Sequence, residues 1–162
     1  MFKWFRKKAE KEAIVAPLTG NIVTLENVPD PVFAQKMMGD GVAIEPTEGI
    51  VVAPIDGEIV QVFPTKHAIG LRSKRGLEIL IHIGLETVGM NGEGFEVHVQ
   101  AGDCVKVGDR LITFDLSLVQ QKAKSMITPI IITNSDAIEH IERVEAKTVQ
   151  RGQTVMMTIA TK

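Results

Sequence analysis

From residue 13 onward the chain alternates short apolar runs with clusters of Gly, Pro and Asp. The runs fall at residues 14–15, 22–25, 49–53, 58–63, 77–83, 111–114, 127–133 and 154–159. Many are β-branched and all are too short for a helix, so each predicts a strand. Two stretches follow a helical rhythm instead. Residues 117–124 come after Asp115 and contain apolar Leu118 and Val119. Asn134, Ser135 and Asp136 supply N-cap chemistry ahead of Ile138, Ile141 and Val144, which are spaced as one helical face. The pattern predicts an all-β domain with one or two short helices at its edge.

One internal repeat refines this picture. Ala16-Pro-Leu-Thr-Gly-Asn-Ile-Val23 returns as Ala53-Pro-Ile-Asp-Gly-Glu-Ile-Val60, five identities in eight, 37 residues later. Each copy reads as a strand ending at Pro, a Gly turn and a second strand. A weaker echo pairs the segment from Val105 to Leu111 with that from Val149 to Val155. One repeat is too few for a solenoid. Two similar halves closing an antiparallel β-sandwich or flattened barrel are expected.

Composition narrows the function classes. With 162 residues, 44% hydrophobic and 23% charged, the chain fits a single domain able to bury its own core. Its lone cysteine, Cys104, has no internal partner for a disulfide, which suits a reducing, cytoplasmic compartment. No apolar run approaches the ~18 residues of a membrane span. Phe2, Trp4 and Phe5 are scattered among Lys and Arg, unlike a secretory signal. The net charge of −2 does not point to a nucleic-acid partner.

Histidine is sparse: His67, His82, His98 and His140. His98 lies in a polar stretch and His140 on the second predicted helix, and both read as solvated. His67 and His82 flank a hairpin turning at Ser73-Lys-Arg-Gly76. If those four residues form the loop, His67 falls opposite His82 with Cβ atoms about 4.5–5.5 Å apart. If Lys74 and Arg75 form a type I turn followed by a bulge at Gly76, every pairing shifts by one and the histidines point to opposite faces. Under the first register Thr65, His67 and Ile69 share a face with Leu80, His82 and Gly84, while Ile79, Ile81 and Ile83 face the core.

Facing imidazoles support several chemistries. One neutral ring is able to attack phosphorus while the other donates to a phosphoryl oxygen, with Thr65 and the main chain at Gly84 placed to hold the remaining nitrogens. Alternatively, the pair starts a zinc site that still needs a third ligand. Two strand histidines with unrelated partners complete the alternatives that spacing leaves open. Gly39-Asp-Gly41 reads as a turn, without the context of a phosphate-binding loop.

The wider text resembles the glucose-class enzyme IIA component (EIIA) of the bacterial phosphoenolpyruvate-dependent sugar phosphotransferase system, from about Val15 to Ile159. The resemblance is carried by Pro29-Asp-Pro-Val-Phe-Ala-Gln-Lys36 with Gly39-Asp-Gly41, Val52-Ala-Pro-Ile-Asp-Gly57, Thr65-Lys-His-Ala68 and Ile81-His-Ile-Gly-Leu-Glu-Thr-Val88. Gly92-Glu-Gly-Phe95, Val105-Lys-Val-Gly-Asp109 and Thr128-Pro129 extend it. It implies a β-sandwich of the duplicated hybrid motif type and a phosphohistidine carrier. His82 would be the phosphorylated nucleophile and His67 the residue stabilising the phosphoryl group, with Thr65 and Gly84 orienting the two rings. The implied partners are the phosphocarrier HPr, the IIB domain of a sugar permease and regulated proteins, with no cofactor and no intrinsic metal. His67 and His82 would bind zinc only with a partner's carboxylate. The implied docking collar is Val32, Phe33, Met37, Met38, Phe63, Ile69, Leu80 and Val88, with Asp30 and Glu86 facing an arginine of HPr. A biotinyl- or lipoyl-type carrier and a zinc hydrolase are the rival classes. The first would need a modifiable lysine in Met-Lys-Met order, where this chain has Lys36-Met37-Met38.

Charge also divides the chain. Residues 1–11 sum to +4 and the remainder to −6, so residues 1–12 read as a basic tail appended to a domain spanning 13–162. On a helical wheel Met1, Phe2, Phe5 and Ala9 share one arc, while Lys3, Arg6, Lys7, Lys8 and Lys11 fill most of the opposite side. Such a segment is able to lie transiently on the anionic inner face of a membrane. A frayed, solvated terminus is the alternative. If the tail binds lipid, full-length protein pellets with anionic vesicles and a version lacking residues 1–12 stays in the supernatant; equal pelleting leaves the tail without this role.

Overall fold

The computed structural model describes residues 11–162, so the tail expectation lies outside the described residues except at Lys11 and Glu12. Those two open the first strand, β1 (Lys11–Val15), two positions before the domain boundary read from charge. Thirteen further strands follow: β2 (Gly20–Val23), β3 (Asp40–Pro46), β4 (Ile50–Val52), β5 (Gly57–Val62), β6 (Ala68–Ser73), β7 (Glu78–His82), β8 (Phe95–Val97), β9 (Cys104–Val105), β10 (Arg110–Phe114), β11 (Thr128–Ile132), β12 (Ile138–Arg143), β13 (Thr148–Val149) and β14 (Val155–Thr161). Two short helices, α1 (Pro31–Ala34) and α2 (Leu116–Lys122), interrupt them. The Asp115 side chain caps α2 by accepting from Leu118 N at 3.1 Å, matching the predicted helix to within two residues.

All strand pairings among the described residues are antiparallel. They form an eight-stranded sheet in the order β13-β2-β3-β11-β7-β6-β5-β9 and two three-stranded sheets, β1-β14-β12 and β4-β10-β8. The architecture is a sandwich, without a closed barrel. Strand order in the large sheet is symmetric about the β11–β7 pair, and this is the sequence duplication made visible. Gly20 pairs with Val149 as Gly57 pairs with Val105. The repeat copies also bond each other reciprocally, Val15 N to Pro54 O at 2.8 Å and Val52 N to Pro17 O at 2.9 Å.

Two expectations are corrected here. Residues 138–143, predicted as a helix, form strand β12 beside β14, after a single 3-10 turn at Ser135–Ala137. The register shifts between Ile138 and His140, and this bulge explains the misreading. An extra residue turns two positions three apart onto one face of a strand. Ile138 and Ile141 accordingly both pack on the core, imitating a helical stripe. Gly39-Asp-Gly41 is also no simple turn, because Asp40 and Gly41 open β3 and pair with Ile132 and Ile131.

The large sheet carries apolar side chains on both faces, and alternation sorts them. Val42, Ile44, Ile69, Leu71, Ile79, Ile81, Ile130 and Ile132 belong to the main core. Ala43, Ala68, Leu80 and Ile131 belong to a smaller cluster on the other face, where Leu25, Val28, Phe33 and Leu85 cover them. The second face therefore has a dry floor of its own. The paired glycines make a test of the duplication. A Cβ at Gly20 would lie 2.1 Å from Glu45 O, and one at Gly57 would lie 2.3 Å from Arg72 O. Gly20→Ala and Gly57→Ala should each lower stability by about 1–3 kcal/mol, the usual overpacking range, read as shifts in the urea midpoint.

Candidate functional site

The hairpin between β6 and β7 adopts the bulged register. Ala68 pairs with His82 and Arg72 with Glu78, Gly76 takes φ +92°, and Gly76 N bonds Ser73 O at 3.0 Å. By strict alternation His67 would then point away from His82. It does not. His67 precedes the first residue of β6 and follows Lys66, whose φ of +65° breaks the alternation. The Ile83 N–H still donates to His67 O at 2.7 Å, and the two imidazole centroids lie 4.9 Å apart at 80°.

Each ring is held through Nδ1. The Thr65 hydroxyl lies 2.6 Å from His67 Nδ1, and Gly84 O lies 2.8 Å from His82 Nδ1. A carbonyl only accepts, so His82 Nδ1 carries the proton and its Nε2 holds a free lone pair. A hydroxyl donating to His67 Nδ1 leaves the proton of that ring on Nε2, ready to donate. With the Thr65 hydroxyl as donor the two rings have complementary tautomers, a nucleophile beside a hydrogen-bond donor; with it as acceptor both rings carry the proton on Nδ1. Gly84 takes φ +70°, and a Cβ there would lie 2.8 Å from Thr87 Cγ2 and 2.9 Å from Ser125 O, so the position requires glycine.

Burial keeps both rings neutral. His67 is 3% exposed, and desolvation, with the neighbouring His82 adding to it, lowers its pKa to about 4. Desolvation also lowers the His82 pKa, opposed by hydrogen bonding to Gly84 and by the Asp30 carboxylate. Phe33 packs against His82 at 5.2 Å between centroids, and Phe63 meets His67 edge-on at 5.8 Å.

The expected collar residues divide by exposure. Val32, Met37 and Met38 are exposed on and after α1, and Val88 is exposed in the 3-10 turn Val88–Met90 beyond exposed Glu86. Phe33 and Leu80 belong to the buried floor, with Phe63 partly buried against it. Ile69 is a correction: it is 0% exposed in the main core on the opposite face, out of a partner's reach. The register places it with Ile81, away from the site. Asp30 has a structural task, because its Oδ1 accepts from Val32 N at 2.9 Å and caps α1, the helix that carries Phe33. His98 is exposed with Nε2 3.0 Å from Thr113 Oγ1, and His140 is exposed on β12. Thr87 and Thr128, whose hydroxyls bond the peptide preceding Gly84, carry no role in the linear reading. Thr128 is 44 positions from Gly84, and only strand pairing brings the two together.

Among the described residues no group of three His, Cys, Asp or Glu side chains is placed to hold a metal, and no helix is long and apolar enough to cross a membrane. Two buried, neutral imidazoles in edge-to-face contact, each held through Nδ1 and backed by Phe33 and Phe63, form the candidate site of this β-sandwich. The chain belongs to the EIIA 1 family of the phosphoenolpyruvate-dependent sugar phosphotransferase system, whose family model matches residues 12–138. It is thus a phosphocarrier component of that system, and neither the biotinyl- or lipoyl-carrier nor the zinc-hydrolase reading is favoured. It is 62% identical over 155 residues to the PTS system glucose-specific EIIA component of Bacillus anthracis, covering 96% of this chain and 94% of that one. Identity to the protein of the same name from Staphylococcus epidermidis is 53% over 163 residues, covering 98% of each. The solved structure of glucose permease IIA from Mycoplasma capricolum matches with a TM-score of 0.85 and 43% identity, over 94% of this chain and 97% of that one.

The depressed pKa values carry a stability signature. A base with a lower pKa folded than unfolded binds fewer protons in the native state, so its contribution is complete above about pH 6.5 and is lost as pH falls toward 4. For His67 the loss between pH 7 and pH 5 should be about 2 kcal/mol in urea unfolding. His67→Gln should flatten that slope.

Proposed function

We propose that His82 Nε2 takes a phosphoryl group from phosphorylated HPr and passes it to the cysteine of a sugar-permease IIB domain. The observation that carries this reading is the 2.8 Å contact from His82 Nδ1 to Gly84 O, which leaves Nε2 as the nucleophilic nitrogen. The lone pair of Nε2 attacks phosphorus, the bond from phosphorus to the HPr donor atom breaks, and that atom keeps the electron pair. In the second half-reaction the cysteine sulfur attacks, the P–N bond breaks and the pair returns to Nε2. His67 Nε2–H donates to a phosphoryl oxygen as charge builds on it, in a floor too dry for water to compete.

Val32, Met37, Met38 and Val88 form the apolar centre of the docking surface, and Glu86 supplies a negative rim for a cationic partner. One such surface serves donor and acceptor in turn, so its contacts are small and transient. The relatives' glucose-specific names support a glucose permease as the recipient. The carrier works in the cytoplasm, and basic residues 1–12 add a transient contact with the membrane face where that permease lies.

With phosphoenolpyruvate, enzyme I and HPr, the wild-type chain should acquire acid-labile label and His82→Ala none; label in that variant would overturn the assignment. His67→Ala should still be labelled but pass the group on the order of 100-fold more slowly, the effect of losing one preorganised donor. Glu86→Lys should slow uptake from HPr, more at low salt than at high. Asp30→Asn, which preserves the cap, separates the charge of Asp30 from its structural task.

A further inference from the structure

The nucleophile at His82 depends on where the Gly84 carbonyl points, and two buried threonines hold the peptide immediately before it. The Thr87 Oγ1–H donates to Ile83 O at 2.7 Å, and Gly84 N–H donates to Thr128 Oγ1 at 3.3 Å. These are the C=O and N–H of one peptide unit, gripped from both ends. Both threonines are 0% exposed.

Neither hydroxyl is where a local rule would put it. Thr87 occupies the N-cap of the 3-10 turn Val88–Met90, yet its side chain makes no capping bond there and reaches back to Ile83 instead. Thr128 opens β11, a strand buried along its whole length whose other members are Pro and Ile. A hydroxyl at such a position must be satisfied on both sides. It is, by donating to Met126 O at 3.0 Å and accepting from Gly84 N. A valine would fill the same volume without needing either partner.

We infer that Thr87 and Thr128 are positioning residues that fix the peptide between Ile83 and Gly84, and through the Gly84 carbonyl fix the tautomer of His82. The clamp holds Gly84 in the left-handed region, with its carbonyl turned back along the chain onto the ring two residues earlier. Without it the peptide rocks, the carbonyl leaves Nδ1, and the ring proton is free to move to Nε2. A ring protonated on Nε2 has no lone pair there to attack phosphorus. This inference rests on the phosphohistidine reading above and deepens it.

The test reads the tautomer directly on the full-length chain. With 15N-labelled histidine, two-bond ring correlations at pH 7 report which nitrogen of His82 carries the proton. The wild type should show a single Nδ1–H tautomer. Thr87→Val and Thr128→Val should each give a mixture of tautomers and take up phosphate from HPr about tenfold more slowly, as when a group orienting a functional histidine is lost. Thr87→Ser and Thr128→Ser, which keep the hydroxyl, should restore the single tautomer and most of the rate. A general loss of packing would lower stability in both series and leave the tautomer unchanged. Where a valine variant fails to fold, the alanine variant removes the hydroxyl without adding bulk and takes its place. A single Nδ1–H tautomer in folded variants lacking the hydroxyl, or a mixture in the serine variants, overturns the inference. Label persisting in His82→Ala would instead overturn the phosphohistidine reading, so the two failures are distinguishable.

Discussion

The Gly84 carbonyl has no proton to give, and this constraint orders the whole site. Facing it at 2.8 Å, His82 must place its own proton on Nδ1 and present Nε2 bare. The complementary hold on His67 comes from a hydroxyl, which is able to donate. A carbonyl on one ring and a donating hydroxyl on the other would make chemically opposite partners from two identical side chains. The arrangement works only while both rings are neutral, and burial supplies that condition by disfavouring their charged forms.

That burial is possible because the large sheet is apolar on both faces. Its inner face closes the main core against the two smaller sheets. Its outer face at β3, β11, β7 and β6 presents Ala43, Ile131, Leu80 and Ala68, small enough together for Phe33 and its helix to settle over them. His82 lies at the rim of this floor, and the symmetry of the sheet stops there. The counterpart of β7 across the pseudo-two-fold is β11, which carries no histidine. Duplication supplied the scaffold, and only one half was furnished with chemistry.

The proposed docking collar obeys a different requirement. Its exposed members, Val32, Met37, Met38 and Val88, leave apolar surface in water, which is tolerable because the patch is small. Methionine side chains adapt to differently shaped partners, and a carrier must fit two in succession. Backbone strain concentrates in the same region, with Lys36, Lys66 and Glu86 all at positive φ. Lys66 is the instructive case, since its left-handed turn places His67 beside His82 against the alternation of the strand.

The linear pattern by itself determined strands β1, β2, β4, β5, β7, β10, β11 and β14, the duplication and the α2 cap, and it singled out the two histidines that flank the hairpin. Each is a local property, set by period-two burial, turn residues or repeated text. The contacts of Thr65 and Gly84 with the rings were legible too, because each lies two positions from its ring. What only the tertiary structure decided depends on pairing across the sheet. The hairpin register turned on whether Gly76 bulged. Helix or strand at residues 138–143 turned on a bulge against β14. The loss of Ile69 to the core followed from the register, and the convergence of Thr87 and Thr128 on one peptide followed from β11 lying beside β7. Sequence spacing specifies which residues neighbour each other along an element, but long-range hydrogen bonding chooses between registers one residue apart, and that choice decides which side chains meet.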